Sequence, residues 1–140
     1  MDTNSNTIKI QNELCCNDFQ KQVDNVLIRH KSILDIITKL NEYTNRINRA
    51  VAKSVTSCGC IEIHATKQHY DKDSLSEIKD SMKSHIEGQL CPNCKEIIEE
   101  EIGTSLFYLS ALCNVLNINL SDAFMKEYNH IKTLGIFSLK

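Results

Sequence analysis

The run FQKQVDNVLIRHKSILDIITKLNEYTNRINRAVAKSV (Phe19–Val55) decides how this chain folds. Phe19, Val23, Val26, His30, Ile33, Ile37, Leu40, Thr44, Ile47 and Val51 recur in alternating steps of four and three. Steps of that size return side chains to one face of a helix, as alternation by two would in a strand. Leu27, Leu34 and Ala50 widen the stripe on one flank. The run therefore reads as the core face of a helical bundle, with a seam between two chains as the alternative. Asn17 or Asp18 can cap its start by accepting an orphan backbone N–H. No Pro or Gly intervenes before Gly59, and a single helix over Phe19–Val55 would be roughly 55 Å long. If the run is two helices, the polar stretch Asn41–Asn45 is the expected break. His30 falls on the stripe and reads as a hydrogen-bonded core or boundary residue. Arg46, Arg49 and Lys53 read as a solvated basic flank.

Upstream, residues 1–16 are polar and without sustained period, and we expect a flexible lead-in there and a single domain over 17–140. Downstream, Cys58-Gly-Cys60 ends the periodic run, and Ile61 and Ile63 alternate with polar residues, enough for an extended piece but not for a sheet. Ser74 and Glu77 have the spacing of a capping box, so a helix is expected with Leu75, Ile78, Met82 and Ile86 inward and Gly88 at its end. Cys91-Pro-Asn-Cys94 then opens a strongly apolar helix from about Lys95 to Leu116. Asn117–Leu120 breaks it, and Ser121 is placed to cap a last helix through Phe124, Tyr128 and Ile131, closing near Gly135. The fold class is all-α: a helical bundle in which a cysteine knuckle joins two helices.

Composition narrows the function classes. The 140 residues carry a formal charge of -2, so no basic field invites a nucleic-acid backbone. No run approaches the roughly 18 apolar residues of a membrane span. The first residues lack the apolar and basic regions of a signal peptide, which gives a cytoplasmic expectation. Seven cysteines in a reducing compartment are metal ligands, redox groups or small packed hydrophobes rather than disulfides. Cys113 lies on the apolar stripe and reads as core. Adjacent Cys15 and Cys16 have nothing nearby to fix their geometry.

Cys58, Cys60, Cys91 and Cys94 form a C-x-C…C-x-x-C set. Zinc takes four ligands in a tetrahedron, and close cysteine pairs are how short loops supply them. Gly59 allows the sharp turn that points both of its flanking thiols one way. A thiol at a helix start also meets backbone N–H groups that favour thiolate. The set would pin the end of the long helix to the start of the apolar one. An iron–sulfur cluster uses the same ligands and is the alternative cofactor. A thiol-based redox or metal sensor is the alternative use, because Cys-x-x-Cys at a helix N-terminus lowers a thiol pKa. His64, His69 and His85 are exposed residues that could replace one thiol.

Glu96, Glu99 and Glu100 share one helix face, where hard oxygens can bind Mg²⁺ or simply complement the helix dipole. The run from Glu100 to Ala123, EEIGTSLFYLSALCNVLNINLSDA, resembles the third helix and following turn of the MazG-like all-α nucleotide pyrophosphohydrolases. That resemblance implies a MazG-like helical core and a Mg²⁺ site built from an E-x-x-D pair and an upstream E-x-x-E pair. Glu101 matches the glutamate of the first pair and Thr104 stands at the aspartate position. Glu42 is the upstream candidate, with Asn45 at the second acid. An enzyme of this kind would use Glu96, Glu100, Glu101 and Glu42. The chain also resembles a set of small bacterial cysteine-rich proteins of unassigned function, through Asn48–Cys60 and Thr133–Phe137. We expect a zinc-stapled, non-catalytic interaction or regulatory protein with a protein partner, dimeric through the long helix. A divergent Mg²⁺-dependent nucleoside triphosphate pyrophosphohydrolase is the alternative.

Overall fold

The computed structural model describes residues 3–140, and their side chains from Cys15 onward. Five helices dominate: α1 (Thr3–Val26), α2 (Ile33–Lys53), α3 (Leu75–Ser81), α4 (Pro92–Val115) and α5 (Leu120–Leu134). Two three-residue strands, β1 (Ile61–Ile63) and β2 (Ile86–Gly88), form an antiparallel pair in which Ile61 faces Gly88 and Ile63 faces Ile86. The all-α reading holds.

The long periodic run is two helices, but the break falls at Leu27–Ser32 and not at Asn41–Asn45, through which α2 runs uninterrupted. His30 takes a left-handed backbone at φ 55°, which no continuing helix accepts. Ser32 then caps α2 by accepting the Leu34 N–H at 3.3 Å. The chain reversal has a packing cause. Val23, Ile36 and Ala111 meet in one buried cluster, whereas Val23 and Ile36 would sit roughly 20 Å apart on a single helix. His30 is accordingly a loop residue, its Nδ1 3.9 Å from the Asp35 carboxylate. The helix in front of it begins at Thr3, so Asn17 and Asp18 lie inside α1 and cap nothing. Met1 and Asp2, the first two residues of the expected lead-in, lie outside the described residues.

Helix α4 is the centre of the packing, with α2 along most of its length and α1 against its C-terminal part. Helix α2 runs antiparallel to α4: Ser54 lies by Cys94, Arg46 pairs with Glu101, and Tyr43 stacks on Tyr108 at 5.5 Å. The turn from α4 to α5 is tied to α1 by Gln20. Its side-chain amide donates to the Ile118 carbonyl at 2.7 Å and accepts from the Leu120 N–H at 2.9 Å. Asn119, not Ser121, caps α5, accepting the Asp122 N–H, and Gly135 closes that helix as expected.

The stretch after Ser74 is a second correction. Ser74 caps α3 through the Glu77 N–H at 3.2 Å, but the helix stops at Ser81 and Ile86–Gly88 become a strand. A seven-residue helix with no buried side chain has little packing to extend it. Pairing Ile86–Gly88 with Ile61–Ile63 gives both segments backbone partners and buries Ile61.

Candidate metal centre

Each of the four thiols of the C-x-C…C-x-x-C set is delivered by a local backbone device. Helix α2 ends in a wide π turn, Ser54–Cys58, closed by the Gly59 N–H donating to the Ser54 carbonyl at 2.9 Å. Gly59 adopts φ 75°, a left-handed conformation that costs a glycine little. That turn swings Cys58 and Cys60 round the buried end of α2, with the Cys60 thiol 3.7 Å from the Ser54 carbonyl. On the other side Cys91 is the N-cap of α4, its sulfur accepting the Cys94 N–H at 3.4 Å, and Pro92 occupies the first turn, where no N–H is missed. Cys94 follows one turn in and is buried.

The sulfurs converge. All four Sγ atoms lie within 4.8 Å of one another, and Cys58 and Cys91 are 3.8 Å apart. A tetrahedral ion with Zn–S near 2.3 Å has sulfur–sulfur edges of about 3.8 Å. The set therefore fits one four-coordinate ion without rearrangement of the helices.

Protonation describes the same crowding. Cys91 is lowered to about 7, first by the Cys94 backbone N–H and then by the Cys94 side chain. Cys94 is pushed up to about 12: the Ser54 hydroxyl pulls it down, but the Cys91 thiol, burial and the Cys58 and Cys60 thiols outweigh it. Cys58 is raised as well, with Cys94 opposing and Cys91 and Cys60 prevailing. One thiolate, at Cys91, forms readily, whereas the Cys58 and Cys94 thiols hold their protons through their hydrogen bonds to the neighbouring thiols and burial. A divalent cation is the counter-charge under which such a set can ionise together.

The hairpin supplies a support that the sequence reading missed. Gly88, at φ 85°, packs against Cys60: a Cβ there would stand 2.7 Å from the Cys60 carbonyl oxygen. Beside it, Glu62 and Glu87 are a cross-strand pair of like charges, bridged by His64 at 2.8 Å from Glu62 and 3.8 Å from Glu87. These three exposed groups also lie within 4.8 Å of one another, and their ion pairs account for the arrangement. The alternation of apolar and polar residues in Ile61–His64 and Ile86–Gly88 was the available signal.

No protein-family model, curated protein or solved structure matches this chain.

The acids expected of a Mg²⁺ site are not gathered. Among the described residues no three of Glu42, Glu96, Glu100 and Glu101 bring their carboxylates together. Glu101 holds Arg46 through both oxygens at 2.9–3.1 Å. Glu42 pairs with Lys39 at 3.0 Å, and Glu96 and Glu100 are exposed. Thr104, at the aspartate position, donates its hydroxyl to the Glu100 carbonyl at 3.2 Å. The remaining candidates lie apart from the thiols. Cys15 and Cys16 are on α1, and Cys113 is buried, its thiol raised by that burial. His69 lies near Asp71 at 3.8 Å, and His85 lies 3.4 Å from the Thr66 hydroxyl. The described helices include none long and apolar enough to cross a membrane.

Proposed function

We propose that this chain is a non-catalytic helical interaction or regulatory module, acting in the cytoplasm and held in shape by one zinc ion on Cys58, Cys60, Cys91 and Cys94. The observation that carries the reading is the four-sulfur cluster within 4.8 Å. A single ion suits that spacing better than an iron–sulfur cluster, which distributes its cysteines over several irons and so spaces them more widely. When bound, the ion supplies a structural crosslink and charge neutralisation. Cys58 and Cys60 then hold the end of α2, and Cys91 and Cys94 hold the start of α4. The MazG-like core suggested by Glu100–Ala123 is part of the proposal, without that family's chemistry, because Glu101 and Glu42 are already engaged by Arg46 and Lys39.

Metal analysis of anaerobically purified chain tests the site. One zinc per chain, lost in Cys58→Ser and Cys94→Ser together with thermal stability, is the expected result. No bound zinc or iron, with unchanged stability in both variants, overturns it. Incubation with nucleoside triphosphates and Mg²⁺ tests the rest. We expect no pyrophosphate release, and release abolished by Glu101→Ala would establish the enzyme instead.

A further inference from the structure

The fold leaves a large area in water. The chain exposes 10709 Å², whereas a compact monomer of its 16.0 kDa exposes about 7,400 Å². Granting residues 1–14 the full area of an extended chain, roughly 2,300 Å², still leaves the rest about 1,600 Å² above a compact monomer of its size. A standard interface takes about 800 Å² from each partner, and obligate homodimers take more. The excess is on the scale of an interface.

Its apolar part is organised. The α2–α4 pair has two edges. One is polar and internally satisfied, with Arg46 on Glu101 and Tyr43 on Tyr108. At 3.6 residues per turn, Ile37 lies on the far side of buried Ile36 from Arg46, and Ile102 and Leu109 lie on the far side of buried Ile98 from Tyr108. The antiparallel run of the two helices sets Ile33 and Ile37 level with the Leu109 end of α4. The opposite edge carries a row of apolar side chains, Ile33, Ile37, Ile102, Leu106 and Leu109, each between 36% and 47% exposed, with the uncharged Asn41 and Thr44 beside it and the Lys95–Glu99 ion pair toward the start of α4.

We infer that this edge of the α2–α4 pair is a homodimer interface, meeting the same edge of a second copy about a twofold axis. An uncharged apolar row can meet its own copy about a twofold, since no charge within it meets its own kind. The net charge of -2 opposes association only weakly. Ile33 and Ile37 belong to the seam seen in the sequence, and the break at Leu27–Ser32 moves the contact from one long helix to a surface shared by two. The inference rests on the reading of the chain as an interaction module, whose partner it names, and it does not use the thiols.

The test is the solution mass of the full, metal-loaded chain across the micromolar range by sedimentation equilibrium, with metal content measured on the same samples. Wild type should show twice the 16.0 kDa chain mass. Leu106→Glu should weaken association about a hundredfold or more, by burying an unpaired charge, while helical content and bound metal stay unchanged. Ile37→Glu, on the other helix, repeats the test should the first variant fail to fold. A wild-type chain that stays monomeric, even one that then binds a different protein on this edge, overturns the inference, as does a dimer that survives both substitutions. A dimer without metal would overturn the zinc reading alone, and a metal-loaded monomer this inference alone.

Discussion

A Cβ at Gly88 would meet the Cys60 carbonyl oxygen at 2.7 Å, whereas a Cβ at Gly59 would meet nothing within 4 Å. Both residues have positive φ, so alanine at either carries the left-handed penalty of roughly 1–2 kcal/mol. Only Gly88→Ala must also displace the backbone that aims Cys60. Gly88→Ala is therefore expected to lower folding stability more than Gly59→Ala and to weaken metal binding more, as measured by denaturant titration and by competition with a chelator. Equal losses in the two variants would remove the hairpin from the site's support. Four residues beyond Cys60, His64 gives a pH dependence. Its pKa is raised by the hydrogen bond to Glu62 and then by the charge of Glu87. A raised histidine contributes stability that is fully present below its unfolded value and is lost as pH rises through the elevated folded one. Wild type should thus lose a small increment of stability across that window that His64→Gln does not lose. An NMR titration placing the His64 midpoint at or below the usual ~6.5 would contradict it.

At the scale of the helices, the period of the run Phe19–Val55 was readable but its phase was not. Four-and-three spacing identified helices, yet the stripe drawn through Ile33 and Ile37 passes beside the residue that α2 buries, Ile36, which has no exposed surface. Isoleucines at 33, 36 and 37 leave that choice open until the partner helix is known, and a break re-phases everything after it. The break did have a local signal in Ser32-x-x-Asp35, a cap followed by an acid in the first turn. The apolar continuity across it, Val26-Leu27-Ile28, obscured that signal. Ile36→Ala is expected to cost about 2–5 kcal/mol, as for a buried isoleucine in a packed core. Leu34→Ala, 68% exposed on the same turn, should stay within about 0.5 kcal/mol. Urea unfolding of the two variants checks the phase directly, and a larger loss at Leu34 would reverse it.

For the molecule as a whole, the thiols were legible because ligand spacing is a local property: each pair is set by one short turn, Cys58-Gly-Cys60 or Cys91-Pro-Asn-Cys94. The acids were not, because their fate depends on which cations α2 brings across to α4, a tertiary fact that no spacing records. The same division predicts what the proposed metal does for the fold. Its α2–α4 pair is fastened at two ends by different physics. Val23, Ile36 and Ala111 pack at one end. At the other the four sulfurs, Gly88 and the two-stranded pair meet with little apolar burial beyond Ile61, Cys94 and Ile98. Under the proposed metal reading, removing the ion leaves four thiols with no shared partner, so the crosslink goes and the first end stays. Chelation should therefore speed amide hydrogen exchange in Ser54–Cys58, in β1 and β2, and in the first turn of α4, with Ile36 and Ala111 remaining protected. Exchange mass spectrometry before and after chelation reads this segment by segment. A uniform rise along the whole chain would mean that the cysteines hold the entire fold and not one end of it, whereas no rise anywhere would mean that they hold nothing.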